Sequence, residues 1–188
     1  MFFQGGICVK ELTTKSKYLY RGKIINLRLD EVSLPNGKKS TREVVEHPGA
    51  VVIIPLLHDG RVAVIKQYRK PADEILIEFP AGKIEQNEDP LNCAKRELLE
   101  ETGYKANTFT KLSSFYTTPG FSNEFIYLYL AEGLIKEQQQ LEQDEFLEVE
   151  FYCIEELMKM VLNNKIKDGK TIIGLLWLKL LKQGVFHV

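Results

Sequence analysis

Cysteine is scarce in this 188-residue chain. Cys8, Cys93 and Cys153 are too few, too far apart and odd in number for a disulfide framework or a CxxC metal site, so a reducing compartment, the cytoplasm, is the natural home. Long apolar runs are missing too. Uncharged stretches such as Ala50 to Leu57 fall far short of the roughly 18 to 20 apolar residues that a bilayer span requires, which argues against a membrane. The opening MFFQGGICVK has no basic region ahead of an apolar stretch and does not read as a secretory signal. A surplus of one charge sign is also lacking: 25 Lys and Arg against 26 Asp and Glu leave a net charge of -1, no field to draw in nucleic acid. His47, His58 and His187 are not grouped at metal-ligand spacing, and no repeat or tract beyond Gln138-Gln139-Gln140 is visible. What remains is ordinary globular composition, 44% apolar and 27% charged, enough for one well-packed core.

The first half reads as strands. Ile25, Leu27 and Leu29 alternate within Lys23 to Leu34, Pro35-Asn36-Gly37 supplies the positive-φ residues of a hairpin turn, and Ser40 to Glu46 returns. Ala50 to Leu57, the turn His58-Asp59-Gly60 and Arg61 to Tyr68 read as a second, more deeply buried hairpin. Ile75 to Phe79 is a short strand, and strand signals resume at Phe109 to Tyr116, Glu124 to Ala131 and Glu148 to Cys153. Helices are expected over Asp89 to Gly103, Ile154 to Leu162 and Thr171 to Lys182, the last placed in the core or an interface together with Trp177. This order implies an α/β (α+β) architecture: an N-terminal β-hairpin subdomain over residues 1–47 and a larger domain over 48–188.

The first of these helices carries the chemistry. Asp89 is a good N-cap, Pro90 suits the first helical position, Leu91, Ala94 and Leu98 form a buried stripe, and Gly103 closes the helix. Its other side gathers Arg96, Glu97, Glu100 and Glu101. Like charges at helical spacing destabilise an isolated helix by roughly 0.2–0.5 kcal/mol per pair, and a divalent cation reverses that sign. Hard oxygen ligands favour Mg²⁺ or Mn²⁺ over zinc. Taken alone, the helix reads more simply as a solvated acidic face salted by Lys95 and Arg96.

The surrounding residues weigh against that bland reading. From Gly82 the chain runs GKIEQNEDPLNCAKRELLEETGY, with Gly82, Glu88, Arg96, Glu97, Glu100, Glu101 and Gly103 at every fixed position of the pattern Gly, five residues, Glu, seven residues, Arg-Glu-aliphatic-any-Glu-Glu-any-Gly. This resembles the Nudix box, the signature of hydrolases that cleave nucleoside diphosphates linked to another moiety. Only Tyr104 departs, where an aliphatic residue is commoner. The resemblance implies a Nudix-type α/β/α sandwich with a mixed sheet. It makes Glu97 and Glu101 the first-choice metal ligands, with Glu100 nearby and the Ala81 carbonyl contributing, for two or more Mg²⁺ ions with Mn²⁺ as substitute. Arg96 then pairs with a carboxylate and fixes its rotamer, and Gly82 lets the backbone turn tightly.

Downstream, Tyr116-Thr117-Thr118-Pro119-Gly120-Phe121-Ser122-Asn123-Glu124 places Pro119 sixteen residues after Gly103, which resembles the ADP-ribose pyrophosphatase subgroup. Leu34-Pro35-Asn36-Gly37, His47-Pro48-Gly49-Ala50, Gln67-Tyr68-Arg69 and Glu78-Phe79-Pro80-Ala81-Gly82 are similar to its bacterial members. The resemblance implies a homodimer that exchanges N-terminal strands, with adenine between the two chains. Tyr20, Arg21, Arg42 and Arg69 are then candidates for the base and phosphates, and Glu78 and Glu124 for ribose hydroxyls. The subgroup takes a general base from an acidic loop before a strand. Here that loop includes Glu142, Gln143, Asp144 and Glu145; Glu145 aligns best and Glu142 is the alternative.

The implied reaction is Mg²⁺-dependent hydrolysis of ADP-ribose to AMP and ribose 5-phosphate. Other ADP-linked or nucleotide-sugar diphosphates are an alternative, and a non-catalytic ADP-ribose sensor is a weaker one, because sensors usually lose box glutamates. The net charge also resolves into opposed regions. Residues 1–47 hold nine Lys and Arg against five Asp and Glu, a net of +4, so residues 48–188 carry -5. The basic end suits an anionic nucleotide and the acidic clusters suit cations.

Overall fold

A computed structural model of the chain describes residues 9–141, 143 and 145–185. Two compact units emerge, Met1–Pro48 with Tyr116–Glu124, and Gly49–Phe115 with Phe125–Val188. In the first, β1 (Leu12–Arg21), β2 (Asn26–Ser33) and β3 (Lys39–Glu46) form an antiparallel sheet in that order. Gly37 N–H donates to the Leu34 carbonyl (2.8 Å) to close the β2–β3 turn, and only Gly37 there is left-handed. The sequence pattern gave no warning of β1, because LTTKSKYLYR is exposed at every position and has no apolar alternation. Arg28 grips Asp30 through Nε and Nη2 (2.8 and 2.9 Å), a charge-assisted pair that holds the Asp30 carboxyl below its ordinary range. The 116–124 segment joins β3 through Val45 N–H to the Phe121 carbonyl and Asn123 N–H to the Val45 carbonyl.

The second unit is built on β4 (Ala50–Pro55), whose Val51 to Pro55 are all buried. It sits between β7 (Ala81–Lys83) and β9 (Phe125–Lys136), with β8 (Tyr104–Tyr116) beyond β9; β4 runs antiparallel to β7 and parallel to β9. Val51 and Ile53 pack with Cys93, Ala94 and Leu98 of α1 (Pro90–Thr102). Val52 and Ile54 face the opposite core, with Ile154 and Leu157 of α2 (Ile154–Leu162) and Leu175 and Leu178 of α3 (Gly169–Lys182). A strand apolar on both faces is therefore sandwiched between helices, the α/β/α arrangement expected, and each such side chain contributes roughly 1.5–3 kcal/mol by leaving water. Trp177 packs half-buried against the second core.

The expected second hairpin is corrected. β5 (Arg61–Arg69) pairs with β10 (Leu147–Cys153) and β6 (Glu74–Glu78) in a separate sheet, and it meets the chain after β4 only at the bridge Leu56–Val62. Both edges of β4 are already taken by β7 and β9, so the turn at residues 58–60 sends the chain from one sheet to the other.

The segment between β6 and β7 is fixed from behind by α3. Thr171, fully buried, accepts from the Phe79 N–H (2.8 Å) and donates to Asp168 Oδ2 (2.6 Å), while Ile53 N–H donates to the Pro80 carbonyl (2.9 Å). Thr171→Val keeps the shape but strands the Phe79 N–H, so urea unfolding should show a loss of about 1–3 kcal/mol. An unchanged midpoint would show that this bond does not hold the segment.

Candidate active site

The box residues acquire distinct jobs once α1 is formed. Asp89 caps it by accepting from Leu91 N–H (2.9 Å), Pro90 opens it, and Gly103 closes it in the left-handed conformation (φ 66°). With Cys93, Ala94 and Leu98 turned to the core, Glu97 and Glu101 one turn apart also face inward and are buried, at 7% and 2% exposure. Ala81 N–H donates to Glu101 Oε2 (2.8 Å). The role expected for Gly82 changes: it is not left-handed, but a Cβ there would lie 1.8 Å from Glu97 Cδ. Glycine stands at this position because the Glu97 carboxylate occupies the space a side chain would need.

Arg96 neutralises the outer part of this face. Its Nε and Nη2 meet both oxygens of Glu88 (2.9 and 3.0 Å), and Nη1 reaches Glu97 Oε1 (2.7 Å) and Glu100 Oε2 (2.9 Å). Arg96 thereby holds the Glu88 carboxyl down at about 2. Glu88, a fixed position of the motif, is the main anchor of Arg96. Deeper in, burial pushes Glu97 up to about 7 despite Arg96, and the charges of Glu100 and Glu145 act in the same direction. Burial also drives Glu101 well above its ordinary value, followed by the charge of Glu97 and then that of Glu145. Glu145 is thus close enough for its charge to bear on both carboxylates. Glu142 lies outside the described residues.

Among the described residues, no three His, Cys, Asp or Glu side chains converge into a closed metal cage. Arg96 occupies Glu100 and one oxygen of Glu97, which leaves a pair of buried carboxylates rather than a ring. The donor set fits a hard divalent cation, since Mg²⁺ is usually held by one or two carboxylates with substrate phosphates and water completing its shell.

Arg69 and Glu78 come together on the same unit. Arg69 donates through Nε and Nη2 to the two oxygens of buried Glu78 (2.8 and 2.9 Å), and its own charge is felt by Glu101. Lys170 also pairs with Glu78 and with Asp168. Lys170 was missed, although Asp168, an N-cap residue three before Thr171, could have marked the start of α3 beside it. Glu145 also lines a cavity of about 490 Å³ with Lys66, Tyr68, Ile75 and Phe146.

The remaining candidates belong to the N-terminal unit. Tyr20 is exposed, the Arg21 guanidinium lies 4.0 Å from the Tyr18 ring centre, and Arg42 pairs with Glu11. Glu124 accepts from the Thr117 hydroxyl (2.7 Å). Pro119 and Arg42 line a cavity of about 440 Å³ with Tyr116 and Phe121.

Residues 46–173 match the NUDIX domain, and residues 11–45 match the nucleoside diphosphate sugar hydrolase N-terminal domain. The chain belongs to the Nudix hydrolase family, whose members generally use divalent metals such as Mg²⁺. It is 42% identical to the ADP-ribose pyrophosphatase of Bacillus subtilis (strain 168), over 92% of this chain and 94% of that one. It is 41% identical to the methanol dehydrogenase activator of Bacillus methanolicus, over 93% of this chain and 96% of the other. A solved structure described as an ADP compounds hydrolase shares the fold with a TM-score of 0.82 at 21% identity, covering 94% of this chain and 97% of that one.

The raised carboxyls set a pH dependence. A carboxyl with a folded-state pKa near 7 and an ordinary value of 4.5 holds its proton more tightly when folded, so metal-free stability falls as pH rises across that window. Cation binding needs the ionised form, so the gain in Tm from saturating Mg²⁺ should grow between about pH 6 and about pH 8. A gain that is equal at both pH values, read by thermal unfolding, would contradict the buried pair as the binding group.

Proposed function

We propose that the chain is a Mg²⁺-dependent pyrophosphohydrolase that converts ADP-ribose and water to AMP and ribose 5-phosphate, acting in the cytoplasm as a homodimer. The observation that carries this reading is the buried pair Glu97 and Glu101, both raised by burial despite Arg96 and Arg69, with the charge of Glu145 bearing on both. The substrate choice is supported by the 42% identity to an ADP-ribose pyrophosphatase along nearly the whole length of both chains. The free thiols Cys93 and Cys153 suit a reducing compartment.

In this account Glu97 and Glu101, helped by the Ala81 carbonyl, hold two or more divalent cations. Cations bound there would neutralise the pyrophosphate and lower the pKa of water. Arg96 fixes the rotamers of Glu97 and Glu100. Glu145 takes the proton as the oxygen of water attacks phosphorus and the P–O bridge breaks; Glu142 is the alternative base. Arg69 uses two of its N–H donors on Glu78 and offers the others to phosphate. Tyr20, Arg21 and Arg42 stack on or pair with the nucleotide, with Pro119 and Glu124 shaping the N-terminal side. The exposed strand β1, carrying Tyr18, Leu19 and Tyr20, is the surface for exchange with a second copy.

The N-terminal match to the nucleoside diphosphate sugar hydrolases favours a second reading in which other nucleotide-sugar diphosphates are cleaved by the same groups. Incubation of the purified protein with ADP-ribose and Mg²⁺ should release AMP, whereas AMP from other ADP-linked compounds alone would favour the second reading. Binding without AMP would instead make it a sensor. Glu101→Gln should lower kcat by at least ~100-fold, the scale of losing one strong electrostatic group. Near-normal turnover at saturating Mg²⁺ would remove Glu101 from the metal site. A solution mass near twice 21.6 kDa should accompany activity, and a fully active monomer would exclude a shared adenine site.

A further inference from the structure

The C-terminal end of α1 is closed by one segment of chain. A helix leaves its last carbonyls without intrahelical donors. Here the carbonyls of Glu100, Glu101, Thr102 and Gly103 accept, respectively, from Gln140 N–H (3.1 Å), Gln139 Nε2, Lys136 Nζ (3.2 Å) and Glu137 N–H (2.7 Å). All four donors lie within Lys136–Gln140, which begins at the last residue of β9 and leads into the loop of Glu145. Two of the acceptors belong to Glu100 and Glu101, residues of the carboxylate face itself.

Packing points the same way. Gln139 is half-buried while Ile135, Lys136, Glu137, Gln138 and Gln140 are exposed, so its amide is turned inward onto the helix end. Gly103, the last glycine of the box, is left-handed, and a Cβ on it would come within 2.9 Å of Gln139 N and 3.1 Å of the Glu137 carbonyl. The glycine at this motif position thus serves two purposes: it ends the helix, and it lets the strap lie directly against that end.

We propose that Lys136–Gln140 is a strap that sets the Glu145 loop in register with the carboxylate helix, and that Gln139 is its positioning residue. The amide of Gln139 reaches the Glu101 carbonyl from six residues before Glu145, so the same helix end that carries Glu101 fixes the origin of the loop. Because a base must stand within hydrogen-bond reach of the water it activates, a small displacement of this origin is felt in turnover more than in substrate binding.

This inference rests on the reading of Glu145 as base, so its test includes a readout independent of turnover. Hydrogen–deuterium exchange over residues 145–150 and steady-state hydrolysis of ADP-ribose are compared in the wild type, Gln139→Ala and Gln139→Lys. Gln139→Ala should speed exchange ~10-fold. It should lower kcat ~10-fold or more with KM within about twofold. Gln139→Lys keeps an N–H donor of similar reach and should restore both. Unchanged exchange in Gln139→Ala, a loss expressed mainly in KM, or a loss that Lys does not restore would overturn the strap. Faster exchange in Gln139→Ala alongside a fully active Glu145→Gln would support the strap while removing Glu145 as base.

Discussion

The burial of two carboxylates one helical turn apart is the constraint on which the rest of the site depends. At the surface such a pair would cost a few tenths of a kcal/mol. Inside, burial raises both Glu97 and Glu101 far above the ordinary carboxylate range, so the arrangement persists only because its surroundings determine it. The Cys93, Ala94 and Leu98 stripe forces that face of α1 inward. Gly82 vacates the space that the Glu97 carboxylate fills, Ala81 N–H donates to Glu101, and Arg96 pairs with Glu88, Glu100 and one oxygen of Glu97. Burial thus costs the fold stability and yields a preorganised pair of oxygen donors, which fits a family whose members generally use divalent metals.

That demand propagates outward. β7 must lie against α1, and its approach is fixed by the Phe79-Pro80 segment, which is held by Thr171 on one side and Ile53 on the other. In the Arg69–Glu78–Lys170–Asp168 cluster two cations balance two carboxylates. Within it, Arg69 is the member whose charge is felt by Glu101. The near-zero net charge of the chain thus conceals a basic N-terminal region and an acidic remainder, an asymmetry suited to an anionic substrate accompanied by cations.

Legibility in the sequence followed the strength of the local signal. Capping chemistry at Asp89, Pro90 and Gly103 placed the boundaries of α1, and the apolar run beginning at Ala50 announced a strand buried on both faces. The box located Glu97 and Glu101. What escaped depended on tertiary pairing. β1 has no apolar period because its side chains are exposed, and the hairpin expected across residues 58–60 failed because strand edges are allotted globally. Gly82 looked like a turn glycine, since the space it leaves is set by a side chain fifteen positions later. Lys170 is far from Glu78 in sequence, so nothing local could join them.

The Glu97–Glu101 pair is a cost to the metal-free fold, because burial opposes the charged form of both carboxyls. Urea unfolding of the wild type and Glu97→Gln, both in excess chelator near pH 8, above the value of about 7 to which burial pushes Glu97, measures that cost. The substitution should raise the unfolding midpoint, because it removes the buried Glu97 charge while keeping the side-chain shape. A variant equal to or less stable than the wild type under those conditions would contradict it.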